Sequence, residues 1–114
     1  MDVAGLQAEL RAFAQARDWE QFHHPKNLAM ALAGESGELV ELYQWLTETE
    51  SREARSNVEL ARATSRELAD ILIYAAQLAD VMGIDLDAAV AAKIESNERR
   101  YPVATSKGTA QKHP

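Results

Sequence analysis

The sequence predicts an all-α fold: a bundle of two long antiparallel helices with two shorter ones packed on them. Three observations carry that expectation. Ala, Leu and Glu dominate, while the 114 residues include only 5 Gly and 3 Pro, a helix-forming mixture. Apolar residues recur at threes and fours, with no strand-like alternation and no heptad run long enough for a free coiled coil. Capping and stop residues stand at the ends of those periodic stretches. At 46% hydrophobic and 26% charged, the chain has the balance of a folded domain and not of a disordered one.

The first helix is expected from about residue 3 to 17, on the stripe Val3, Leu6, Leu10 and Phe13. A linker with Trp19, Phe22, His23 and His24 follows. Pro25 suits a first helical position, so the second helix is expected from Pro25 to Leu46. The segment from Thr47 to Asn57 is polar without an apolar period and reads as an exposed connection. Ser56-Asn57-Val58-Glu59 has capping-box spacing and is expected to open the third helix, which Gly83 ends. Asp85 caps the fourth, with Leu86, Val90 and Ile94 on one side, and Pro102 stops it. Residues 1–102 are expected to form the domain, and 103–114 a flexible tail.

Several function classes are disfavoured by composition. The chain has no cysteine, so disulfides, thiolate metal sites and cysteine nucleophiles are absent. Its 18 acids against 12 bases give a net charge of -6, which argues against a nucleic-acid surface. No apolar run is long enough to cross a bilayer, and the first residues lack the pattern of a signal peptide. The expected setting is the cytoplasm, with no membrane partner.

The sharpest signal is a break in the apolar pattern. Leu28, Leu32, Glu35, Leu39, Leu42 and Leu46 form a regular seam on the second helix, with a glutamate where an apolar residue belongs. Leu60, Thr64, Glu67, Ile71, Tyr74, Leu78 and Val81 form the seam of the third, broken in the same way at Glu67. A charge on an apolar seam needs a compensating cation or a water-filled space. Each intruder has an acid one turn on, Glu38 after Glu35 and Asp70 after Glu67. Two such pairs facing each other offer hard oxygen ligands suited to Mg²⁺ or Mn²⁺ rather than zinc. Glu41 stands one further turn along. A ferritin-like di-iron centre would need Glu-x-x-His on two helices, and the single match, Glu20 to His23, lies in the linker.

Groups of other kinds surround the acids. Lys93, Asn97 and Arg100 share one face of the fourth helix and are candidates for anionic oxygens beyond the metals. Trp45 and Tyr74 each follow an acid by seven residues, Glu38 and Glu67 respectively. On continuous helices that places each aromatic on its acid's face, about 10 Å along the axis. Aromatic faces at that distance offer a stacking platform for a nucleobase.

With these residues in view, the sequence resembles the all-α nucleoside triphosphate pyrophosphohydrolases of the MazG-like superfamily, and within it the branch acting on dCTP. The matching segments are Arg17 to His23, Gly34 to Leu39, Tyr43-Gln44-Trp45, Glu67 to Tyr74, and Lys93 through Asn97 to Tyr101-Pro102. The resemblance implies cleavage between the α and β phosphates, giving a monophosphate and pyrophosphate. It implies metal binding by Glu35, Glu38, Glu67 and Asp70, with Mg²⁺ as the expected ion and Mn²⁺ as the other. Glu38 is the expected acceptor of the water's proton, and Glu35 is the other catalytic candidate. The family's base-binding positions match Trp19, Phe22, His23, Trp45 and Tyr74, while Leu10 stands about where the family has a histidine. The implied substrate is dCTP or a modified dCTP, as part of nucleotide-pool cleaning. The same chemistry on dUTP or a damaged nucleotide is the alternative, as is a metal-stabilised oligomerisation module without activity.

Met30, Leu68, Leu72 and Ile73 lie off the seams. A small bundle cannot cover both sides of such helices, so a homo-oligomer is expected. The resemblance implies a tetramer.

Overall fold

The structure, a computed structural model, describes residues 1–114 and is built of helices. Helices α1 (Val3–Ala16), α2 (Pro25–Tyr43), α3 (Glu48–Arg52), α4 (Val58–Val81), α5 (Leu86–Arg100) and α6 (Val103–Ser106) follow in order, with 3₁₀ turns at Glu20–Phe22 and Ala54–Ser56. The four long helices are those expected; α3 and α6 are additions. The chain divides into two compact units, Met1–Gly83 and Ile84–Pro114.

In the first unit α2 and α4 form the main pair, and they are antiparallel. Glu35 lies beside Glu67, whereas Tyr43, two turns further along α2, meets Thr64 one turn earlier on α4, with their hydroxyl oxygens 2.6 Å apart. Helix α1 runs parallel to the second half of α4. The amide of Gln7 donates to the carbonyl of Ala76 at 2.9 Å, and Arg11 pairs with Asp80 at 2.5 Å. The fully buried residues are Ala14, Leu28, Ala76 and Ala79, which lie on α1, α2 and α4. Three are alanines, the residues that let helices approach closely, and none of those three stood on the expected leucine-rich seams. Those seams do turn inward along most of their length, although Val81 remains 47% exposed.

Two expectations about the α2–α4 connection are corrected. Helix α2 ends at Tyr43 and not at Leu46. The segment after it is not an unstructured link. Thr47 accepts from the backbone of Glu50, and Glu50 reaches back to the backbone N–H of Thr47, a reciprocal capping box that starts α3. The expected box at Ser56 does not form, and the cap stands one residue later. Asn57 is the N-cap of α4, its side chain accepting from Leu60 at 3.1 Å, while Ser56 closes the preceding 3₁₀ turn. Gly83 takes the left-handed conformation, φ 65°, that ends α4 as expected.

In the second unit Asp85 caps α5 through the N–H of Ala88, and Tyr101 follows the helix end. The segment expected to be a frayed tail contains the single turn α6, and His113 folds back on the end of α5. Its ring stacks on Tyr101 with centroids 4.9 Å apart, and its Nδ1 lies 3.0 Å from the carbonyl of Arg100. The Arg100 guanidinium in turn donates to the carbonyl of His113. No helix is long and apolar enough to cross a membrane.

Candidate functional site

The broken seams meet. Carboxylate oxygens of Glu35, Glu38 and Glu67 all lie within 4.8 Å of one another, Glu38 exposed and the other two half-buried. The antiparallel α2–α4 pair makes this possible, because it sets the middle of α2 against the first half of α4. Oε2 of Glu35 and Oε2 of Glu67 are buried without a hydrogen-bond partner. Buried acceptors left unpaired are costly, and two of them on residues of one acid cluster mark a place suited to a positive charge. The residues therefore fit a divalent cation: hard oxygens, several carboxylates, and one face open to water. Asp70 stands outside that close group.

Electrostatics report the same crowding. The neighbouring Glu38 carboxyl, then burial, then Glu67 push the Glu35 pKa up to about 7, with the charges of Glu38 and Asp70 adding to the rise. Glu67 is also raised, by burial first and then by Glu38 and Asp70, while the Glu35 carboxyl opposes the rise. Without a cation, the cluster retains a proton that ordinary carboxyls lose well below neutrality.

Gly34 and Gly37 flank the acids in the interior of α2. Neither has a left-handed backbone, and a Cβ on either would meet nothing within 4 Å. The chain itself does not require glycine there, although each weakens the helix.

The aromatic residues separate. Tyr74 is half-buried on α4, one turn beyond Asp70. Trp45 is not on the α2 face at all, which corrects the expected helical spacing from Glu38. It lies in the turn past Tyr43 and is 86% exposed. Because α2 and α4 are antiparallel, Trp45 stands toward the start of α4, whereas Tyr74 stands toward its end. Trp19 is set by Asp18, which takes a positive φ of 54°, and packs edge-on against Phe13 at 5.8 Å. Phe22 is 55% exposed in the adjoining 3₁₀ turn.

His23 lies elsewhere in the first unit, on a cavity of about 270 Å³ between α1, the linker and the second half of α4. Gln7, Leu10, Glu20, Gln77 and the Arg11–Asp80 pair also line it. Gln77 was invisible in the sequence, since a glutamine off the seam reads as surface; in the structure its Oε1 is buried and unpartnered. Lys93, Asn97 and Arg100 all belong to the second unit. Lys93 is exposed and Asn97 half-buried, while Arg100 is engaged by the folded-back His113.

Fold and acids together define a class: all-α proteins with Glu-x-x-Glu on one helix facing Glu-x-x-Asp on its antiparallel partner. The chain belongs to the MazG-like family, whose family model matches residues 32–113. Among its relatives, dCTP pyrophosphatase 1 of Mus musculus is 46% identical and that of Bos taurus 47% identical, each over 112 residues and 98% of this chain. The chain spans 64% of the length of these relatives. A crystal structure of a pyrophosphatase from Archaeoglobus fulgidus superposes with a TM-score of 0.80 at 38% identity, covering 90% of this chain and 94% of that one.

Proposed function

We propose that this protein is a Mg²⁺-dependent nucleoside triphosphate pyrophosphohydrolase, acting on dCTP or a modified dCTP to give dCMP and pyrophosphate. The observation that carries the proposal is the pair of buried, unpartnered carboxylate oxygens of Glu35 and Glu67 within one acid cluster. The names of the relatives support the substrate.

Glu35, Glu38, Glu67 and Asp70 would hold the metal. Bound there, a divalent cation supplies charge neutralisation for the phosphates and lowers the pKa of water. The protein's part is to fix that charge on two packed helices and to accept a proton. Glu38, the exposed member of the close group, is the acceptor with the easiest access to water. Tyr74 stands one turn beyond Asp70 and is assigned to the sugar and base. Trp45 lies on the other side of the acids along the helix pair, so it would serve a base only in a neighbouring copy. The resemblance, and not the placement of the two units, assigns Lys93, Asn97 and Arg100 to the phosphates. We extend the proposal to a homo-oligomer, a tetramer by the resemblance, in the cytoplasm, with residues 1–102 as the active domain and 103–114 as a tail.

Incubation with a panel of deoxynucleoside triphosphates, with Mg²⁺ and with chelator, tests the activity. Monophosphate and pyrophosphate from dCTP in the Mg²⁺ arm alone is the expected outcome. Diphosphate and inorganic phosphate, or no turnover of any nucleotide, would contradict it.

A further inference from the structure

The cavity between α1 and α4 lies outside the acid cluster and carries a polar group with nothing to bind. Gln77 Oε1 is buried without a partner on a lining otherwise furnished by Leu10, Ala14 and Val81 among its apolar members. The polar neighbours differ in commitment. Gln7 donates to the backbone of Ala76, and Arg11 and Asp80 satisfy each other. Gln77 follows Asp70 by seven residues on the uninterrupted helix α4. It therefore shares the face of that acid, about 10 Å further along the axis. Tyr74 lies between them, one turn from each. An unpaired acceptor on a residue that lines this cavity, in line with an acid centre, suits a donor that arrives with the substrate.

We propose that Gln77 is a specificity-determining residue: its Oε1 accepts from the exocyclic amino group of a cytosine-type base that enters the α1–α4 cavity. This deepens the function proposed above and rests on it. A pyrimidine with a 4-amino group presents a donor to Oε1. A pyrimidine with a 4-carbonyl presents a second acceptor, which Gln77 meets only by turning its amide over to donate from Nε2, so the orientation in the structure favours the 4-amino base. Leu10, Ala14 and His23, which line the same cavity, would then contact the base.

The test has two arms. In the first, deoxycytidine and deoxyuridine, which carry no phosphate, are titrated into the whole labelled protein, and the Gln77 side-chain amide is followed by NMR. Deoxycytidine is expected to shift the Gln77 signals, and deoxyuridine to shift them much less. Equal shifts, or none, would overturn the assignment whatever the enzyme does with phosphates. In the second, kcat/KM for dCTP and dUTP is compared in wild type, Gln77→Leu and Gln77→Glu. Loss of the acceptor in Gln77→Leu should reduce the dCTP-to-dUTP ratio by about tenfold or more, mainly through KM. Gln77→Glu retains an acceptor and should keep the preference for dCTP. An unchanged ratio in Gln77→Leu would contradict the role of Gln77 while leaving the pyrophosphohydrolase activity standing. A wild-type protein that shifts Gln77 with deoxycytidine but turns over no triphosphate would contradict the activity and keep the pocket.

Discussion

Glu35 and Glu67 matter because of what surrounds them and not because they are acids. Glu35, with its pKa raised to about 7, binds a proton in the folded chain at pH values where the unfolded chain, near 4.5, has lost it. The folded state then holds more protons than the unfolded state between those values, so stability falls as pH rises through that window. Thermal melting of metal-free protein from pH 4.5 to pH 8 should show this decline, and saturating Mg²⁺ should flatten it. Glu35→Gln removes one charge at nearly constant volume. The variant is expected to lose at least about a hundredfold in pyrophosphate release and to melt higher than wild type without metal at pH 8. Both acids were legible in the sequence, because a glutamate on a leucine seam breaks a pattern. Gln77 was not, because a glutamine off the seam breaks none.

At the scale of elements, the four long helices could be read from apolar spacing and caps, and their seams face inward. The short α3 could not, because five residues carry no apolar period; its signal was the capping box of Thr47 and Glu50. Thr47→Ala should cost about 1 kcal/mol by denaturant titration, and should release the α3 turn without changing α2 or α4. The early end of α2 separates Trp45 from the helix face where spacing put it, and only the chain's actual path reveals that. Gly34 gives the opposite kind of test. Its Cβ-free surface meets no atom of the chain. Gly34→Ala should therefore raise stability by about 0.5–1 kcal/mol. If a ligand or a second copy approaches that surface, the same variant loses activity or assembly; a stabilised, fully active variant would show that the glycine is idle.

For the whole molecule, the thinness of the interior decides the argument. The fully buried residues of the first unit, Ala14, Leu28, Ala76 and Ala79, are a small core for a folded protein of this length. Of the off-seam residues of α2 and α4, Met30, Leu68 and Leu72 are 63%, 47% and 47% exposed, while Ile73 is half-buried. Leu68 and Leu72 line a groove with Tyr43 and Ala61. Light scattering at micromolar concentration is expected to give a multiple of 12.6 kDa, and Leu68→Glu with Leu72→Glu should lower it and the melting temperature together. A stable, fully active monomer would defeat the assembly argument. The central claim is that the acids of α2 and α4 form a divalent-cation centre, and calorimetric titration with Mn²⁺ or Mg²⁺ near pH 7 in two buffers of different ionisation enthalpy tests it most directly. Binding accompanied by proton release, and lost in Glu35→Gln, is the predicted result, because the cation displaces the proton that the Glu35 cluster retains. Absence of binding to wild type, or binding unaltered by Glu35→Gln and without proton release, would contradict it.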